Sequence, residues 1–279
     1  LKNFQKGRED LEEFQSPEKK SYEHITRIVV GLILFILATF CIYRGGIFLL
    51  SFLTLVSFVA ILEFCNILKE KLGEQNLLPF VIIVSLYLPF YYFIPLTAYE
   101  TVLIFVLFLF ILSISFIKIE EGIYWVFFFS FVLLYIPFLL SFAIEIREFG
   151  WKPIFYLFLT VVIYDTFAFY TGKFFGKTKF LESISPNKTL EGFIGGLSGV
   201  VIFNIFSFKY WGLPLFAMPF FAVIIPLLAQ MGDFFESYLK RSLKIKDFSN
   251  ILLSHGGFLD RIDSYLFALP IFYLILRIF

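Results

Sequence analysis

The sequence predicts an all-α, polytopic transmembrane bundle of about nine spans, and three observations predict it. The first is composition. Of 279 residues 59% are hydrophobic and only 16% charged, where soluble domains run at about 45–50% and about 25%. Aromatics reach 22%, with 43 Phe, and mean hydropathy is +0.88. The second is run length: the apolar stretches exceed a buried strand or core helix and reach the roughly 17–25 residues that cross a bilayer. The third is charge placement, because the basic residues gather at alternate ends of those stretches.

Each long run is read as a helix, because backbone groups in hydrocarbon must bond within their own segment. The runs are 26–43, 46–63, 77–98, 101–117, 123–143, 154–172, 192–208, 214–232 and 262–278. The polar residues 1–23 form a tail without the apolar stretch and cleavage site of a signal peptide. Arg44, Gly45 and Gly46 separate the first two runs, and Thr97 to Glu100 separate the third and fourth. Pro89 and Pro95 interrupt the third, Pro137 the fifth, and Pro219 and Pro226 the eighth. Neighbouring helices re-satisfy the backbone at such breaks. The chain divides into the tail (1–23), an N-terminal set of membrane helices (24–150) and a C-terminal region (151–279) that holds the polar motifs. Cys41 and Cys65 lack metal or disulfide spacing and read as packing residues.

With the N-terminus inside, only Arg44, Arg147, Lys152, Lys209 and Arg277 of the 23 basic residues lie outside. That is the positive-inside pattern, and it puts the C-terminus outside and the inside in the cytosol. The net charge of +1 says little about partners, and its distribution says more; no nucleic-acid partner is expected. Two long polar segments, 165–196 and 233–263, then fall on the cytosolic side. A solute transporter would instead concentrate polar groups at the midplane of a repeated fold, and the chain shows no internal repeat.

In the C-terminal segment Asp233, Glu236, Ser237, Lys240, Arg241 and Lys244 recur every three or four residues and share one helical face. Lys246 and Asp247 follow. His255, Gly256 and Gly257 make a turn, and Asp260, Arg261 and Asp263 open the last run. Grouped carboxylates suit a hard cation such as magnesium, and the bases suit phosphate. The competing reading is a loop knitted by salt bridges. In the middle segment Asp165 lies inside an apolar run, so it faces a polar interior rather than lipid. Lys177 and its neighbours flank glycines, Ser185, Lys188 and Thr189 form a turn, and Glu191 opens the next span. Hydroxyls, lysines and glycine-exposed N–H groups suit phosphate, although the GxxxxGK[ST] loop is absent. A basic loop that holds anionic lipid heads has the same composition.

The C-terminal segment resembles the signature of the phosphatidate cytidylyltransferase family, also called CDP-diacylglycerol synthases. The matching residues are Ser237, Lys240, Arg241, Lys246, Asp247, His255, Gly256, Gly257, Asp260, Arg261 and Asp263, with no insertion. The middle segment is similar too, through Asp165, Ala168, Gly172, Phe175, Gly176, Lys177, Ser185, Pro186, Lys188, Thr189, Glu191 and Gly192. Phe169 replaces a frequent Tyr, and Leu253 and Ser254 replace a Pro-Gly type pair. The motifs cover the last 115 residues or so; the N-terminal part resembles the family only as apolar helices.

The resemblance implies transfer of the cytidylyl group of CTP to phosphatidate at the cytosolic face of a bacterial inner membrane, by a homodimer that uses one or two magnesium ions. It implies Asp233 and Asp260 as chief metal ligands, with Glu236 and Asp263 completing the site and Asp247 a further catalytic member. Lys240, Arg241, Lys246 and Arg261 would bind phosphates or lock carboxylates. Asp165, Lys177, Ser185, Lys188, Thr189, Glu191 and Ser237 would bind substrate. His255 would order the glycine turn or touch a phosphate. The alternatives are a CTP-dependent lipid-alcohol kinase, a cytidylyltransferase for another lipid phosphate, a lipid-sensing protein and an anion transporter.

Overall fold

The computed structural model describes residues 17–72, 77–117, 119–182, 184–245, 247–249 and 256–278. Apart from short connections these residues are helical, with one isolated antiparallel bridge between Lys179 and Thr189. In chain order the helices are α1 (Pro17–Arg44), α2 (Gly46–Leu72), α3 (Leu78–Ser85), α4 (Tyr87–Phe93) and α5 (Ala98–Phe116). Then come α6 (Ile119–Leu133), a π turn (Leu134–Phe138), α7 (Leu139–Glu148), α8 (Trp151–Phe175), α9 (Leu190–Ser207), α10 (Met218–Ser242) and α11 (Leu259–Ile278).

The breaks have local causes. Gly45 and Gly46 take φ of 63° and 50°, so α1 can stop and α2 start almost at once. Arg147 secures that turn by donating from Nε to Ile42 O (2.9 Å) and from Nη2 to Tyr43 O (3.0 Å). The third run is two short helices, and it ends at an extended Ile94 before Pro95. Thr97 and Glu100 form a capping box that starts α5. Pro137 sits in the π turn, whose wider spacing absorbs the missing N–H.

Among the described residues six stretches are long and apolar enough to cross a membrane: Gly46–Ile67, Ala98–Ser115, Gly122–Glu148, Trp151–Phe175, Leu190–Trp211 and Leu215–Ser242. Val29–Arg44 and Leu78–Phe93 are shorter apolar helices. Asp260, Arg261, Asp263 and Arg277 place α11 outside that composition. The nine expected runs thus meet six such stretches, two shorter helices and a charged α11. The architecture is that of an all-α integral membrane protein.

Ile61, Phe80, Val84, Leu109, Phe129 and Leu133 form the centre of a continuous core. Ile114 and Phe206 remain 71% and 86% exposed, as lipid-facing residues do. Cys41 and Cys65 are buried free thiols, as expected of packing residues. In the C-terminal region α8 packs along α9, and α10 along α11. Both approaches are close. A Cβ on Gly196 would lie 2.6 Å from the Tyr164 ring, and one on Gly232 3.2 Å from Ser264 Cα. The second approach matters for function, because Asp233 and Asp263 adjoin those backbones.

Candidate active site

Four helix ends meet at one end of the bundle: the C-terminal ends of α8 and α10 and the N-terminal ends of α9 and α11. Their side chains surround a polar cavity of about 610 Å³. Among the residues singled out in the sequence, Asp165, Ser185, Lys188, Thr189, Asp233, Glu236, Lys240, Asp260, Arg261 and Asp263 border it.

Helical spacing explains the α10 contribution. Of the six residues expected on one face, Asp233, Glu236 and Lys240 border the cavity, while α10 ends at Ser242 and Lys244 lies beyond it with φ of 55°. Lys240 is the hinge of the charge cluster. It pairs with Glu236 one turn earlier and with Asp260 of α11 at 2.7 Å. Asp260 Oδ2 also accepts the Gly257 N–H at 2.6 Å. On the other side Lys188 pairs with Asp233 and lies 4.7 Å from the centroid of the Phe234 ring. Asp263 is only 6% exposed, and its Oδ1 accepts the Ser264 N–H at 2.6 Å. Asp165 and Asp233 are both near enough to Asp263 to repel it.

The donor set bears on a metal ion. Among the described residues no group of three His, Cys, Asp or Glu is arranged to hold one, and lysines pair with three of the carboxylates, Asp233, Glu236 and Asp260. Yet Glu236 is 1% exposed and its Oε1 has no hydrogen-bond partner. A buried acceptor without a donor is costly. Oxygen donors of this kind, with three mutually repelling carboxylates nearby, fit a hard divalent cation such as magnesium.

Other expected site residues hold backbone or neighbouring polar groups. Glu191 accepts the backbone N–H groups of Lys177 (3.0 Å) and Thr178 (3.1 Å), which fastens the loop after α8. Thr189 caps α9 by accepting from Gly192 N at 3.1 Å while still bordering the cavity. Arg241 donates to the carbonyls of Ile184 (3.3 Å) and Ile245 (3.1 Å), tying that loop to the end of α10. Ser237 supports Asp233 from behind at 3.4 Å. The side chain of Lys177 and that of Asp247 are exposed and do not border this cavity. Lys246 and His255 lie outside the described residues.

Two polar groups escaped the sequence reading. Gln230 borders the cavity and accepts the Tyr164 hydroxyl at 2.7 Å. Glu63 of α2 accepts the N–H groups of Phe258, just before α11, and of Leu259, its first residue. Each is a polar side chain inside an apolar run, the signal that singled out Asp165.

A second, mostly apolar cavity of about 520 Å³ lies between α1, α2, α7, α8 and α11. Leu34, Phe35, Ala38, Leu53, Leu157 and Leu269 are among its walls. The two cavities share Asp165, Asp260, Arg261 and Asp263. An apolar chamber and a charged one therefore meet at one acidic and basic cluster.

Comparison with known proteins agrees with this chemistry. The model of the Cytidylyltransferase family matches residues 25–279. A phosphatidate cytidylyltransferase of Aquifex aeolicus is 40% identical over 147 residues, 53% of this chain and 56% of that protein. Those of Thermotoga maritima and Bacillus subtilis are 39% and 38% identical, each over 54% of this chain and 58% of the relative. The chain spans about half the length of the curated relatives it matches.

Proposed function

This chain belongs to the cytidylyltransferase family, and we propose that it joins CTP to phosphatidate, giving CDP-diacylglycerol and pyrophosphate. The carrying observation is the meeting of the two cavities at Asp165, Asp260, Arg261 and Asp263. A polar chamber with Lys188, Lys240 and Arg261 suits a triphosphate. An apolar chamber opening onto the same residues suits acyl chains, and withdrawing these from the bilayer into water would cost about 0.8 kcal/mol per CH₂. Few other substrates need both at once.

The reaction is a displacement at the α-phosphorus of CTP. A phosphatidate oxygen forms the new P–O bond, and the α–β anhydride bond breaks with its electron pair leaving on pyrophosphate. No side chain need remove a proton, because a phosphomonoester has a second pKa of about 6 and is largely dianionic at neutral pH. The barrier is the approach of two polyanions. The protein answers with position and preorganised charge. Lys188 and Lys240 are held in place by their carboxylate partners and can turn toward phosphate oxygens. Arg261, at the junction, suits the phosphatidate phosphate. The acids Asp233, Glu236, Asp260 and Asp263 would hold magnesium, one ion or two. Such an ion, when bound, offsets phosphate charge and steadies the leaving pyrophosphate.

The same proposal includes nine spans, counting the two shorter helices and α11, in a bacterial inner membrane. The site then faces the cytosol and the chain forms a homodimer. Purified protein given CTP, phosphatidate and magnesium tests the reaction. CDP-diacylglycerol and pyrophosphate in equal amounts are expected. Release of CDP would point to a lipid kinase instead, and uptake of labelled anion into proteoliposomes without CTP turnover would point to a transporter.

A further inference from the structure

The structure assigns to Glu63, a residue of the N-terminal helices that borders neither cavity, the task of holding Asp260 in its working position. Glu63 lies within the apolar stretch Gly46–Ile67 and is 1% exposed. An acidic side chain there is expensive and needs donors. Among the described residues it finds three, all far away in sequence. Oε1 accepts the Ser249 hydroxyl at 2.6 Å and the Phe258 N–H at 3.0 Å, and Oε2 accepts the Leu259 N–H at 3.1 Å.

Two of these donors open α11, where N–H groups have no partner inside the helix. A carboxylate at that end also meets the positive end of the helix dipole. The next donor back, Gly257 N–H, goes to Asp260 Oδ2. Glu63 and Asp260 thus divide three consecutive N–H groups between them, so the place of one carboxylate constrains the other. The neighbouring residue adds a second clamp: Phe64 packs against Phe248 with ring centroids 5.1 Å apart. A side chain at Gly257 would push the Glu63 carboxylate out of place. A Cβ there would stand 2.6 Å from Glu63 Oε2 and 2.9 Å from its Oε1.

Glu63 is therefore a positioning residue, acting through the turn before α11 on the Lys240–Asp260 pair. Glu63→Gln keeps the shape but turns an NH₂ group toward at least one of these donors. Displacing a reacting group by about 1 Å can cost about a hundredfold, so the expected loss in kcat is on the order of 10–100-fold, with KM for CTP little changed. Gly257→Ala should produce the same loss from the other side of the contact. In a Glu63→Ala background, where the obstructing carboxylate is gone, Gly257→Ala should add little further loss.

The assay rests on the proposed reaction, but the inference has its own readout in amide hydrogen exchange. Peptides that cover 256–262 should exchange faster in Glu63→Gln, while those from α8 and α9 keep their protection. Failure of the reaction itself would show as an inactive parent protein, with these exchange differences intact. Should Glu63→Gln not fold, Gly257→Ala carries the test. A folded Glu63→Gln or Gly257→Ala protein with parental kcat and parental exchange over 256–262 overturns the assignment.

Discussion

The two halves of the molecule handle polar side chains in opposite ways. In α8–α11 polar groups are numerous, cluster at one end and face a cavity. In α1–α7 they are scattered and spent on structure: Arg147 on the carbonyls of α1, Glu145 on the Tyr91 hydroxyl, and Thr97 with Glu100 on a cap. The difference teaches that a charge in an apolar chain signals function only when several converge on a space. Glu63 joins the two halves, because from α2 it holds the start of α11. The apolar cavity joins them as well, with α1 and α2 giving it walls and α11 its polar mouth.

The strongest way to break the contrast is to neutralise the convergent acids. Asp260→Asn retains size and one acceptor oxygen but removes the charge and weakens the tie to Lys240. The rate of CDP-diacylglycerol formation should fall about a hundredfold or more, the scale of one lost electrostatic contact to a transition state. Asp233→Asn should do the same, and the double variant should be little worse than either single one. Folding is checked by elution profile and activity by a magnesium titration. Near-parental rate and magnesium dependence in a folded Asp260→Asn protein would remove the acids from the reaction.

Next in size is Asp165, which borders both cavities from within the span Trp151–Phe175. Asp165→Leu relieves the repulsion with Asp233 and Asp263, so it should express and fold well. It should also lose activity, by about tenfold or more, because the junction loses a charge that orients its cationic neighbours. Unchanged kinetics in the folded variant would reduce Asp165 to a packing residue.

Much of this was legible before the structure, and what was not has physical causes. Long apolar runs announced the helices, since hydrocarbon leaves the backbone no other partner. The three- and four-residue spacing of Asp233, Glu236 and Lys240 announced one face, because helical geometry is local. Glu191 and Arg241, site residues by resemblance, also hold backbone groups of the loop between α8 and α9. Composition gives a side chain's chemistry but not which partner wins it. Glu63 shows as an acid within an apolar run, but its partners do not show: its N–H donors on Phe258 and Leu259 lie 195 and 196 residues away, beyond any periodic pattern.

A milder change probes the apolar chamber. Ala38 faces it from α1, and Ala38→Phe would fill part of the space proposed for an acyl chain. Long-chain phosphatidate should show a KM raised about tenfold, the equivalent of one or two CH₂ groups denied burial at about 0.8 kcal/mol each. A dioctanoyl substrate, too short to reach the blocked depth, should lose less, and KM for CTP should stay put. Equal losses for both lipids would mean that the cavity does not hold the chains.

The smallest kinetic effect belongs to Arg147, and that is its value as a contrast. Its guanidinium closes the α1–α2 turn through two carbonyls and borders neither cavity. Hydrogen bonds from a charged donor contribute about 1.5–3 kcal/mol when well shielded, and partial exposure brings the cost of Arg147→Ala toward the lower figure. Gly45 should not compensate, because its positive φ already fixes the turn and it has no side chain to donate. Thermal unfolding in detergent should therefore begin several degrees lower. At temperatures where the variant is folded, kcat and both KM values should match the parent. If Arg147→Ala instead lowers kcat without lowering the unfolding temperature, the far end of the bundle communicates with the acid cluster. The division between structural and catalytic charges would then have to be redrawn around α1, which lines the apolar cavity and carries the capped turn.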